Sequence, residues 1–153
     1  MFAGIGSFPY NLMLLLHILA VIVAFAPSFV WPILRVRLRK QGTSTLPSEV
    51  GNQIAPTNFL VHGPAVLVAG LLGIFTLLLS DEAYEFSQTW VSTAFVLWFA
   101  MLGVLFLGVI PAERKAADAG DTPGADARVN MFGGMLHLLL ILMLVDMIWK
   151  PGL

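Results

Sequence analysis

Leu14–Pro32 reads LLLHILAVIVAFAPSFVWP, a stretch without Asp, Glu, Lys or Arg. At about 1.5 Å of rise per residue it is a helix able to cross the roughly 30 Å apolar core of a bilayer. Such a run can also be the buried helix of a soluble domain, and the rest of the chain decides between the two. Of the 153 residues, 58% are hydrophobic and only 11% are charged, and the mean hydropathy is +0.88. A soluble domain carries about twice that charged fraction. Three more apolar runs follow. The expected spans are Tyr10–Leu34, Phe59–Leu79, Trp90–Ile110 and Met131–Trp149. Backbone polar groups in lipid must be satisfied internally, which selects helix, and no period-2 alternation points to a membrane barrel. The fold class expected is all-α: a transmembrane four-helix up-down bundle, with residues 1–153 forming one integral membrane domain.

The connections differ in charge. RVRLRKQGTSTLPSEVGNQIAPTN carries Arg35, Arg37, Arg39 and Lys40, and PAERKAADAGDTPGADARVN carries Arg114, Lys115 and Arg128. SDEAYEFSQT has three acids and no base, and the C-terminal tail has only Lys150. The positive-inside rule then leaves both termini outside and the first and third loops in the cytoplasm. Tyr10, Tyr84, Trp90 and Trp149 form an expected outer aromatic belt, with Trp31 at the inner edge. The third loop, rich in Ala, Gly and Asp, reads as a mobile linker. The first loop has room for a short interfacial helix. The N-terminus MFAGIGSFPYN has no basic residue, so the first run reads as a retained span rather than a cleaved signal. There is no cysteine, which excludes disulfides, thiolate metal sites and a cysteine nucleophile. A net charge of −1 argues against a nucleic-acid partner. No phosphate loop, hydrolase triad or pair of carboxylates is present.

A stripe of small residues recurs. His17 is followed at +3, +7 and +11 by Ala20, Ala24 and Ser28, and His62 by Ala65, Ala69 and Gly73. Four positions so spaced fall within about 80° of a helix surface. Small residues four apart let membrane helices approach closely. The first two helices are therefore expected to pack through these stripes, with His17 toward one end of the seam and His62 toward the other. Pro27 and Pro32 are expected to bend the later part of the first helix.

Ionisable groups inside spans are costly and are functional candidates by default. Here they are His17, His62, His137 and Asp146. His62 lies about 5 Å past Phe59 and His137 about 9 Å past Met131, both from the same side. His17 lies about 10 Å past Tyr10 from the opposite side. Helices two and four are parallel and diagonal in an up-down bundle. His62 and His137 at one level can therefore hold a metal, or clamp a haem from both faces. The alternative is plain hydrogen bonding to a neighbouring helix. Asp146 sits near headgroups, with Lys150 at i+4, and is expected to form a solvated pair with it. Met131, Met135, Met143 and Met147 read as packing rather than a copper site, and so does Trp98. The third helix, with no ionisable group, is expected to be the most lipid-exposed.

LHILAVIVAFAPSFVWPILR, with a C-terminal WKP, resembles small four-span bacterial integral membrane proteins of uncharacterised type. These are distantly similar to HemJ-type protoporphyrinogen oxidases and CopD-like membrane domains. The motif maps to His17, Pro32 and Arg35. The resemblance implies a multi-pass protein of the bacterial cytoplasmic (inner) membrane. It also implies a porphyrin site in which Arg35, Arg114 and Arg128 meet propionates from the inner interface. Two functions follow as expectations. One is a small membrane protein acting by helix–helix association, in a homo-oligomer or with a membrane partner. The other is a haem- or porphyrin-binding redox protein using His62 and His137, with His17 supporting and haem b as cofactor. Whether the chain is an enzyme stays open.

Overall fold

The computed structural model describes residues 4–40, 54, 56–119 and 127–153, with backbone alone for 35, 36 and 38–40. Four helices pack together: α1 (Phe8–Lys40), α2 (Asn58–Leu78), α3 (Thr89–Ala119) and α4 (Ala127–Trp149). Each is long and apolar enough to cross a membrane, with mean hydropathy between 2.0 and 2.5 in its most apolar window. This is a small multi-span membrane protein whose apolar outer surface meets lipid.

Two helices outlast their apolar runs. α1 continues past Leu34 to Lys40, and α3 continues past Ile110 to Ala119. Arg, Lys, Leu, Ala and Glu are strong helix formers, so each helix emerges from the apolar layer without a stop signal. Pro111–Ala119, expected to be linker, is therefore helical, and so is Ala127–Asn130 at the start of α4. The remainder of the third loop lies outside the described residues, as does most of the first-loop segment expected to hold an interfacial helix, of which Ile54 and Pro56 are described as helical and Ile54 is buried. α1 runs unbroken through Pro27 and Pro32.

The first and last described parts of the chain meet the α2–α3 turn. The Gly4 N–H donates to the Leu79 carbonyl at 2.9 Å, and Gly152 packs against Thr89. Asp81 and Glu82 take positive φ (56° and 64°) to reverse the chain there. The basic connections therefore emerge at the opposite end of the bundle.

Lipid offers no hydrophobic drive between helices, so close approach and van der Waals packing must hold them. The α1–α2 seam is the expected one. Ala24 and Ala69 are buried, and Gly73 lies against the His17 ring, where an added Cβ would sit 3.2 Å from Cε1. His17 Nδ1 is 2.7 Å from the Ala69 carbonyl. The other interfaces seat an aromatic ring on a glycine: Phe106 on Gly63 and Trp98 on Gly70 between α2 and α3, and Phe132 on Gly108 between α3 and α4. Trp98 packs as expected and also donates its indole N–H to the Val66 carbonyl at 2.9 Å.

One core joins all four helices through Ala24, Phe25, Val66, Met101, Leu105, Val109, Ile110, Leu136 and Leu140. A smaller cluster of Leu77, Trp90 and Val91 closes the end nearest the termini. Met143 packs on the first cluster and Met147 on the second, while Met131 and Met135 face outward. The expectation that α3 is the most lipid-exposed helix is corrected. In α1 only 11% of the span is buried, against 28% in α3. α3 sets two rings on glycines of α2 and receives a ring of α4 on its own Gly108, which places it inside the packing.

Candidate functional site

The two central helices are locally unwound. Asn58–His62 on α2 and Val104–Val109 on α3 are π-helical. Gly63 N–H reaches back to the Asn58 carbonyl, and Ile110 N–H to that of Leu105, each spanning five residues instead of four. The cause lies in the sequence. Pro64 and Pro111 each stand two residues beyond a π segment. Proline has no N–H to donate, and its ring crowds the carbonyl four residues back, here Leu60 and Leu107. Opening the preceding turn relieves that crowding.

The widened turns deliver polar groups inward. Asn58 and His62 are both buried on α2, and Val109 and Glu113 are both buried on α3. They border a cavity of about 270 Å³ to which every helix contributes. α1 supplies Ser28, Trp31 and Pro32; α4 supplies Gly133, Gly134 and His137. Added Cβ atoms at Gly133 and Gly134 would meet nothing within 4 Å, so this wall is open.

His62 is the distinctive group. Only 1% of it is exposed, its ring meets Phe25 edge-on at 5.8 Å, and neither ring nitrogen has a hydrogen-bond partner. A neutral imidazole carries one donor and one acceptor, and leaving both unused in an apolar layer is costly. Trp31 Nε1 and Asn58 Oδ1 are also buried without partners. Asn58 spends its amide on Glu113, donating Nδ2–H to Oε2 at 2.7 Å.

His137 is held differently. Its Nδ1 lies 2.7 Å from the Gly133 carbonyl one turn back. An N–H donated there leaves the Nε2 lone pair facing Ser28 Oγ at 3.4 Å. The Ser28 hydroxyl already donates to the Phe25 carbonyl at 2.7 Å, so Ser28 offers that nitrogen no proton. Phe29 braces the ring edge-on at 4.6 Å.

The structure thus brings His62 and His137 to one cavity and leaves His17 outside it, on the Ala69 carbonyl. Arg35 belongs to α1 by its backbone, and its side chain is not among those described. Arg114 and Arg128 are exposed, and the Arg114 guanidinium lies 6.0 Å over the Phe59 ring. Among the described residues, no three His, Asp or Glu side chains gather in a way that holds a metal ion.

Asp146 corrects an expectation. It is 5% exposed, and neither carboxyl oxygen has a hydrogen-bond partner. Lys150 does not pair with it. The Lys150 N–H still donates to the Asp146 carbonyl at 2.8 Å, but the helix ends at Trp149 and a φ of 42° turns the Lys150 side chain away from the carboxyl. Its Nζ settles over Tyr84 and Trp90 at 5.3 and 5.8 Å, a cation–π arrangement.

Asn58, Glu113 and Trp31 were not singled out as site residues from sequence. Asn58 precedes the expected span, and Glu113 falls in the segment read as linker. The available signal was the pair of prolines just inside or just past apolar runs. No family model, no curated protein and no solved structure matches the chain, and no family is identified.

Proposed function

We propose that this small multi-span membrane protein binds a lipid-soluble ligand in the cavity, with His62 as the principal recognition group and His137 beside it. The observation that carries the reading is the fully buried imidazole of His62 with both nitrogens unused. A group this costly inside a span is retained where something uses it. Helix–helix association serves this purpose within the chain. The small-residue stripes are consumed by the α1–α2 seam, so they build the pocket rather than recruit a second copy.

The arrangement of His137 favours a second reading, haem ligation. An imidazole that donates Nδ1–H to a backbone carbonyl and keeps Nε2 free has the arrangement common among metal-bound histidines. His62 would supply the other axial ligand. A cavity of about 270 Å³ sits at the lower edge of small-molecule sites, roughly 300–1,000 Å³, so a tetrapyrrole requires α1 and α4 to part. His17 would act only at a distance, through the seam.

The reading places the protein in a bacterial cytoplasmic membrane with both termini outside and the cavity nearer the inner face. Seven of the eight basic residues lie at that end.

Organic extraction of the purified protein, followed by mass spectrometry, tests the ligand reading. The expected result is a small molecule retained by wild type and depleted in Gly133→Leu, which fills the cavity. Identical extracts from both proteins overturn it. A Soret band that survives in His17→Ala and is lost in His62→Ala would select the haem version.

A further inference from the structure

Three residues that line the cavity hold unused polar atoms closed off from a molecule the size of water, so an occupant reaches them once the side chains turn toward it, and these atoms describe its complement. Trp31 Nε1 offers a hydrogen to donate, Asn58 Oδ1 a lone pair, and His62 one of each. They come from two helices, α1 and α2, so they approach an occupant from more than one side. The remaining wall is mixed. Pro32, Val109, Val129, Leu136 and the two adjacent glycines are apolar or bare backbone, while Ser28, Glu113, Asn130 and His137 add polar groups already engaged with other partners or set nearer the rim. An occupant therefore has an apolar body with oxygens on separate edges that accept or donate hydrogen bonds.

The route in narrows the class further. Among the lining residues, Pro32 on α1 and Asn130 and Gly134 on α4 are exposed, while Asn58, His62, Val109 and Glu113 are buried. The exposed part of the lining thus belongs to α1 and α4 near their basic ends, and Asn58 and His62 on α2 lie deeper. An occupant arrives through the lipid with its polar ring leading, and any hydrocarbon tail remains by α1 and α4. The volume suits one substituted six-membered ring.

We propose that the cavity is a binding site for the ring of a lipid-soluble quinone or its quinol. The ring oxygens meet His62, Asn58 and Trp31, and the alkyl tail leaves between α1 and α4. This rests on the ligand-binding reading above and concerns binding alone.

The test uses the intact chain in lipid nanodiscs and decylubiquinone, oxidised or reduced, measured by equilibrium dialysis. Saturable binding is expected in wild type. It should weaken at least about tenfold in His62→Ala, be largely restored in His62→Gln, and be lost in Gly133→Leu. His17→Ala, equally polar but outside the cavity, should bind as wild type does. A decylbenzene probe without ring oxygens needs no variant, and it should not compete. Non-saturable uptake, equal binding by all variants, or full competition by decylbenzene overturns the proposal. Haemin binding that depends on His62 alongside absent quinone binding also overturns it, while leaving the ligand-binding reading standing. Failure of both probes together with identical extracts from wild type and Gly133→Leu removes both.

Discussion

Gly70 carries the most sharply defined packing test. A Cβ added there would fall 2.1 Å from Trp98 Cε2 and 2.3 Å from Cζ2. Ordinary carbon–carbon contact is about 3.5–4.0 Å, so the indole must retreat by more than about 1 Å. It is a flat, rigid ring tethered by its N–H to the Val66 carbonyl at 2.9 Å. Retreat stretches that bond, worth about 0.6 kcal/mol on average between membrane helices. Overpacking a close-fitted site adds about 1–3 kcal/mol. Against these, alanine gains up to about 1 kcal/mol over glycine in helix propensity. The net expectation for Gly70→Ala is a loss of about 1–2 kcal/mol. Gly103→Ala is the control, because a Cβ there meets nothing within 4 Å, and it should be neutral or stabilising. Reversible unfolding of the purified protein in mixed detergent, monitored by helical circular dichroism, measures both. In a Trp98→Leu background the cost of Gly70→Ala should shrink. If Gly70→Ala is as stable as Gly103→Ala, or its cost persists without the indole, the ring-on-glycine account of the α2–α3 interface is wrong.

Three other outcomes are expected. Asp146→Leu should stabilise the protein by about 1–3 kcal/mol in the same unfolding assay, because the carboxyl is buried without a partner; a loss of stability would reveal a partner. Asn58→Ala should cost about 1.5–3 kcal/mol by removing the amide donated to Glu113, and a cost near zero would mean that this bond does not help join α2 to α3. Accessibility tags at Gly42 and Gly120 should report the same face of the membrane, opposite tags at the two termini; tags on opposite faces would end the assignment of the basic loops to one side.

The seam between α1 and α2 was readable because its information is local. Small residues at a four-residue repeat in both helices, with a histidine at the head of each, place Ala24 and Ala69 inward and set His17 against Gly73. Helical rise converts residue number into depth, which is why His62 and His137 were expected near one level, and both line the same cavity. The Asp146–Lys150 pair was misread for the opposite reason. The i,i+4 rule assumes that the helix continues, and the chain turns at Lys150 onto Tyr84 and Trp90. The lipid exposure of α3 was misread because the absence of ionisable groups says nothing about which helices meet through rings seated on glycines, as α3 does with both α2 and α4.

Composition, run length and charge asymmetry by themselves determined that four helices are long and apolar enough to cross a membrane, roughly where their apolar stretches lie, and which basic residues share an end. These follow from the cost of placing backbone and charge in hydrocarbon, which each segment meets alone. Only the tertiary structure decided that Asn58, His62, Trp31 and His137 border one space. That outcome depends on two proline-driven π turns rotating their helices and on how far glycine-seated rings let four helices approach. Both are set by neighbours distant in sequence, and neither is a property of any single segment.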